Sequence, residues 1–260
     1  MPDRRPFLLA PLVVALAALP ATAQKKAPDG AKVLLFSGGQ RQHHGYRDQA
    51  FYLANSLEDT GRFEVTIAED AALLETPALG RYDLIVALAD RRDPEFKLSA
   101  AQQQAIVEYV AKGGGYVSIH GADNAANDWG PELRAMLGGV FSHDTSGGRP
   151  DGKVRKGTYP IKVVDRDHPI TRGLDDFTLA DELYYQMQME PGVEPLVVAE
   201  FAGRDWPVAW AKAHGEGRVF HTPLGHRDFG PDKPDPLRDP NLSRLVIAGI
   251  DWVAAGRKAR

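Results

Sequence analysis

Four short apolar runs in the first half of the chain, each set off by helical or turn-forming sequence, constrain the fold more than any other feature. Residues 31–37 (AKVLLFS), 63–68 (FEVTIA), 82–89 (YDLIVALA) and 116–120 (YVSIH) have the length and composition of strands. After the first, residues 46–60 carry Phe51, Leu53, Ala54 and Leu57 at near-helical spacing and stop at Gly61. After the third, Ser99 caps a helix whose apolar face includes Ala105, Ile106, Tyr109 and Val110, stopped by the glycines at 113–115. Nearly continuous apolar strands alternating with helices predict an α/β fold, a parallel sheet covered on both faces.

The second half changes character. A short helix over 129–137 leads into a Gly-rich, charged loop over 141–158, and a strand follows over 159–164. Residues 195–201, 207–212 and 217–222 read as three closely spaced strands with turn residues between them, hairpins at a sheet edge. Residues 225–241, with Pro231, Pro234, Pro236 and Pro240, cannot be regular structure. An amphipathic helix over 242–255 closes the pattern, and residues 31–256 read as one domain.

Arg4 and Arg5, an apolar stretch over 7–19 and Ala21-Thr22-Ala23 form the three regions of a secretory signal peptide over residues 1–23. Residues 24–30 are then a linker, and the expectation is an exported, periplasmic or secreted protein with no membrane span after cleavage. The whole chain carries a formal charge of −4, and losing Asp3, Arg4 and Arg5 with the leader leaves −5. A mildly acidic chain without a basic run does not predict nucleic acid as a partner. There is no cysteine, so thiol catalysis, disulfides and thiolate metal sites are excluded.

Candidate chemistry rests on histidines and one acidic pair. His120 ends the fourth strand in GGGYVSIHGA, the strand-to-helix turn where an α/β sheet presents a nucleophile or binds its ligand. Imidazole there fits proton transfer or metal ligation better than covalent attack. His43 and His44 lie in the loop after the first strand, on the same sheet edge, and His226 follows the strand at 217–222. Asp181 and Glu182 precede Leu183-Tyr184-Tyr185 in an otherwise apolar segment. Imidazoles with carboxylates support two chemistries, a divalent metal with an open position or metal-free acid/base catalysis. No HExxH motif decides between them. His143 is a candidate lid residue, whereas His168, His214 and His221 read as structural. Aromatic rings such as Tyr184, beside carboxylates, are suited to the apolar faces of sugars.

Taken in order, VLLFSGG with HHGYR, GGGYVSIHGA, LGGVFSHD, DHPITRGLDDF with DELYYQ, and PVAWAKAHGEGRVFHTPLGH make the chain resemble the trehalose-utilisation (ThuA-like) family over roughly residues 31–254. The resemblance implies a flavodoxin-like three-layer sandwich of the class I glutamine-amidotransferase type, mainly parallel with antiparallel edge strands. True amidotransferases hold cysteine at the turn occupied here by His120, so glutaminase activity is excluded. The resemblance further implies carbohydrate catabolism, in particular of 3-keto-sugars made by a partner sugar dehydrogenase.

On that footing His120, Asp181 and Glu182 are the expected acid, base or ligand groups. His43, His44, His143, Tyr184 and His226 are expected to bind substrate, and His43, His120 and His226 are the expected ligands should a divalent metal be present. The reaction expected is cleavage or isomerisation of a keto-glycoside through an enolate. Ordinary glycoside hydrolysis fits less well, because it uses two carboxylates roughly 5–9.5 Å apart across one bond, and sequence neighbours seldom stand so. The alternative is a non-catalytic periplasmic carbohydrate-binding or accessory module.

Overall fold

The computed structural model describes residues 30–39, 43–124 and 129–257. The leader expected over residues 1–23 and all of the linker except Gly30 lie outside them. The strands are β1 (Ala31–Gly39), β2 (Phe63–Ala68), β3 (Leu84–Asp90), β4 (Gly115–Ile119), β5 (Gly139–Val140), β6 (Lys153–Val163), β7 (Phe177–Tyr185), β8 (Gln188–Met189), β9 (Pro195–Phe201), β10 (Arg204–His214) and β11 (Gly217–Thr222). The α-helices are α1 (Tyr46–Glu58), α2 (Ala100–Ala111), α3 (Pro131–Leu137) and α4 (Pro240–Ala255).

Nine strands form one sheet in the order β2-β1-β3-β4-β11-β10-β9-β6-β7, and β5 pairs with β8 in a separate ribbon. The first five in that order are mutually parallel. From β11 onward every pairing is antiparallel. Strand periodicity sorts the core into two layers: Val33 and Leu35 of β1 face α1 and α4, while Leu34 and Phe36 face α2. Helices on both faces of a mixed, mostly parallel sheet give the three-layer α/β sandwich. No described helix is long and apolar enough to cross a membrane.

Local sequence accounts for the helix starts. Ser99 accepts a hydrogen bond from the Gln102 amide while the Gln102 side chain accepts from the Ser99 amide, a capping box at the start of α2. Asp239 caps α4 through the amides of Asn241 and Leu242, with Pro240 in the first turn, so this helix starts two residues before the expected 242.

Three expectations change. The strand expected over 217–222 belongs not to an edge hairpin but to the sheet centre, between β4 and β10, which explains why nearly all of it is buried. The loop expected over 141–158 ends early: β6 begins at Lys153, and its first six residues are exposed, so no apolar alternation marks them. Asp181 and Glu182 lie within strand β7, paired with Gly157 and Lys156 of β6.

Candidate functional site

The parallel half of the sheet ends in a row of polar groups along one edge. β1 and β3 finish side by side with Gly39 opposite Asp90, and any side chain at Gly39 would be driven into the Asp90 carbonyl. His44 follows β1, Asp90 closes β3, His120 follows β4 and His226 follows β11, all at carboxyl ends, where open α/β sheets bind ligands.

His120 is the turn itself. Its φ of +49° puts a non-glycine residue in the left-handed region, a conformation that costs about 1–3 kcal/mol and persists only where surrounding contacts hold it. Pairing of Ile119 with Thr222 brings the Pro223 carbonyl alongside, and His120 Nδ1 donates to it at 2.9 Å. Gly121 leaves room for the Tyr46 hydroxyl, which a side chain there would strike.

With Nδ1 protonated, His120 Nε2 is a bare acceptor at the middle of a cluster. His226 Nδ1 lies 2.9 Å from it, and His44 Nε2 and the Tyr184 hydroxyl lie at 3.3 Å. Asn124 Nδ2 donates to the Tyr184 oxygen at 3.3 Å, which orients the Tyr184 O–H toward His120. Glu182 Oε2 stands 3.4 Å from His226 Nδ1 and 3.8 Å from His120 Nε2. On the far side of the rings, His226 Nε2 meets Asp228 Oδ1 at 3.0 Å and His44 Nδ1 stands 3.7 Å from Asp90 Oδ2.

Burial keeps His44 and His120 neutral. His44 is pushed down to about 3 by desolvation and then by the nearby His226 and Arg92. His120 is pushed well below the ordinary histidine value by desolvation, His44 and His226. Asp228 is held down at about 2, chiefly by its hydrogen bond from Lys156 at 2.5 Å. The nitrogens of His44, His120 and His226 all fall within 4.8 Å of one another, so this trio can hold a divalent ion. The metal set expected at His43, His120 and His226 is thereby corrected: His43 is exposed, and its buried neighbour His44 turns inward instead.

Above the cluster opens a cavity of about 360 Å³, at the small end of the roughly 300–1,000 Å³ of ligand sites. Its wall includes His43, His44, Glu182, Tyr184 and His226, and among its polar lining are Arg92 and Lys156. Phe141 packs against Tyr184 with ring centroids 4.4 Å apart, and His143 meets the Phe141 edge at 5.1 Å. His143 is exposed and paired with Asp151 at 2.8 Å, on the rim. His120, 1% exposed, lies behind this wall and reaches it through His44, His226, Tyr184 and Glu182.

The acidic pair splits. Successive residues of a strand point to opposite faces, so Glu182 and Tyr184 turn toward the cavity while Asp181 turns away with Leu179 and Leu183. Asp181 accepts from the amides of Gly225 at 2.7 Å, His226 at 2.9 Å and Glu182 at 2.7 Å. It is therefore not a second carboxylate of the cavity but the brace that positions His226. Burial pushes its carboxyl up to about 7 against the pull of those three amides.

Asp90, Arg92, Asn124, Phe141, Lys156 and Asp228 also shape the site and were not anticipated. Asp90 and Arg92 could have been found from their place at the carboxyl end of the third strand. Lys156 could not, since it reaches the cavity only through the pairing of β6 with β7. Of the histidines read as structural, His221 is fully buried in β11, bonded to Asp123 at 2.9 Å and stacked on Trp210. His168 accepts the Ile170 amide within its own turn.

Fold and cluster together define an α/β three-layer sandwich that carries imidazole and carboxylate groups at the carboxyl edge of its parallel strands. The family model for ThuA, described as trehalose utilisation, matches residues 32–253, and the chain belongs to this family. Among solved structures it is similar to a ThuA-like protein from Parabacteroides merdae, at 24% identity and a TM-score of 0.72, covering 89% of this chain and 92% of the other. A ThuA-like protein from Bacteroides uniformis matches at 22% identity and a TM-score of 0.68, covering 91% and 95%. A cytoplasmic protein of Salmonella typhimurium matches at 18% identity and a TM-score of 0.59, covering 87% and 100%. At these identities the structural likeness speaks for the fold. No functionally curated protein matches the sequence. The family ties the chain to carbohydrate utilisation.

Proposed function

We propose that the protein is an enzyme acting on a keto-sugar or keto-glycoside through an enolate formed in the cavity above His44, His120 and His226. The observation that carries this reading is the union, in one small polar cavity, of a carboxylate, imidazoles, two cationic side chains and an aromatic wall. The trehalose-utilisation description of the family supports a sugar as the ligand.

A ketone at C3 of a glycoside acidifies the C2 proton, because the carbanion's charge is spread onto the carbonyl oxygen. Glu182 takes that proton, and the electron pair moves to the C3 oxygen as an enolate. Arg92 and Lys156, both on the cavity wall, provide the positive potential that an enolate oxygen needs. Collapse of the enolate forms a C1–C2 double bond and breaks the C1–O glycosidic bond. The departing oxygen takes back the proton held on Glu182, so atoms and charge balance. Return of the proton to C2 from the opposite side would give an epimer from the same enolate. Tyr184 and Phe141 offer ring faces to the C–H face of the sugar.

The test compares 3-keto-disaccharides with their parent disaccharides, following products by NMR. The proposal expects turnover of the keto forms alone, since only they acidify C2. Equal cleavage of the parents contradicts it, and saturable binding without any product would make the protein a carbohydrate-binding module.

A further inference from the structure

We propose that His44, His120 and His226 bind one divalent transition-metal ion of the zinc type, with its open position facing the cavity beside Glu182. This goes beyond the sugar reading and holds whichever substrate the cavity takes.

One nitrogen from each ring lies within 4.8 Å of the other two, and the two separations from His120 are close to those of a tetrahedral site. Zinc–imidazole bonds of about 2.0–2.1 Å in a tetrahedron set neighbouring donor atoms about 3.3 Å apart. His44 Nε2 is 3.3 Å and His226 Nδ1 2.9 Å from His120 Nε2. Glu182 Oε2 stands 3.4 Å from His226 Nδ1, at the corner a metal-bound water or substrate oxygen would adjoin.

The outer partners point the same way. Metal-bound imidazoles give their other N–H to a carbonyl or carboxylate, which fixes the tautomer and leaves the inner lone pair bare. His120 has the Pro223 carbonyl at 2.9 Å and His226 has Asp228 at 3.0 Å, whereas the outer nitrogen of His44 makes no hydrogen bond and has the Asp90 carboxylate 3.7 Å away. The inner nitrogens of the three rings converge on one buried point, where a cation between them would take up their lone pairs. An all-imidazole set favours zinc, copper, nickel or iron over magnesium or calcium, which prefer oxygen ligands. Such an ion would act as a Lewis acid toward a substrate oxygen at the open position.

The experiment loads the full chain, stripped with chelator, with Zn²⁺ or Co²⁺ alone and reads metal content, the visible Co²⁺ spectrum and histidine ¹⁵N shifts. The expected result is one ion per chain, a tetrahedral Co²⁺ spectrum, and shifts at Nε2 of His44 and His120 and at Nδ1 of His226. His44→Ala and His226→Ala should each weaken binding by more than the ~10–100-fold typical of losing an outer partner such as Asp228. His43→Ala and His214→Ala should bind as the parent does. No stoichiometric metal, or binding that survives both His44→Ala and His226→Ala, overturns the proposal. If those variants fail to fold, the nitrogen shifts of the parent protein decide alone: metal-induced shifts elsewhere, or none, overturn it. These readouts involve no sugar, so failure here is distinct from failure of the keto-sugar reading.

Discussion

His120 directly follows β4 and His221 lies within the adjacent parallel strand β11; both are enclosed, and they differ in what their nitrogens meet. His221 sits inside β11 opposite Ser118 of β4, stacked on Trp210, and its Nε2 faces one carboxylate, Asp123, at 2.9 Å. His120 comes two residues beyond Ser118, past the end of β4, where the sheet no longer supplies a neighbour on each side. Its Nδ1 is taken by a carbonyl, and its Nε2 faces two further imidazoles and a tyrosine hydroxyl. A buried histidine with a single dedicated acid is a staple, here fastening the turn that contains Asp123 to the next strand. One whose nitrogen is shared among several groups at a strand end, beneath a cavity, is part of a site. Burial alone does not separate the two roles, whereas position along the strand and the number of partners do.

The sharpest way to break this contrast is to change one group on each side. Glu182→Gln should lower turnover by ~10²–10⁴-fold, the usual worth of a general base, and leave thermal stability near that of the parent. Steady-state kinetics beside a melting curve would check both halves. His221→Ala should do the reverse. Removing it leaves Asp123 buried without its partner, and denaturant unfolding should show a loss of about 3–5 kcal/mol.

A subtler effect comes from Asp181. Its carboxyl, pushed up to about 7 by burial, keeps its proton in the folded state well above the ordinary 3.8. The folded state therefore binds more protons than the unfolded chain between those values. The stability this contributes is full below about pH 3.8 and is lost as pH rises through about 7. His44, pushed down to about 3, acts oppositely, costing the metal-free protein stability as pH falls from 6.5 toward 3. Asp181→Asn should remove the first slope, so urea stability of the metal-free variant should rise with pH from 4 to 6.5 more steeply than that of the parent. The smallest change is expected from Tyr184→Phe. It loses the hydroxyl linking Asn124 to His120, worth about 0.5–1.5 kcal/mol in unfolding experiments.

Much of the parallel half was legible because its signals are local. The nearly unbroken apolar run of β1, the Ser99 cap and the turn at His120 each depend on a few adjacent residues. The antiparallel half was not, because β6 and β7 become recognisable only through each other. Charged residues at the start of β6 and the acidic pair in β7 hide the alternation that would have sent Asp181 and Glu182 to opposite faces. His43 and His44 posed the same difficulty in a loop, where no period decides which neighbour turns inward. His226 was found from its place after a strand, while Asp228 and Lys156 needed the three-dimensional pairing to bring them to it.

The measurement that bears most directly on the proposed chemistry is solvent-deuterium incorporation from a 3-keto-disaccharide, followed by NMR in deuterated water with the parent protein and Glu182→Gln side by side. Proton removal from C2 predicts deuterium at C2 of recovered or hydrated sugar, or a product unsaturated between C1 and C2, with both outcomes suppressed in Glu182→Gln. Turnover in which the C2 proton stays in place would contradict the enolate and the role given to Glu182.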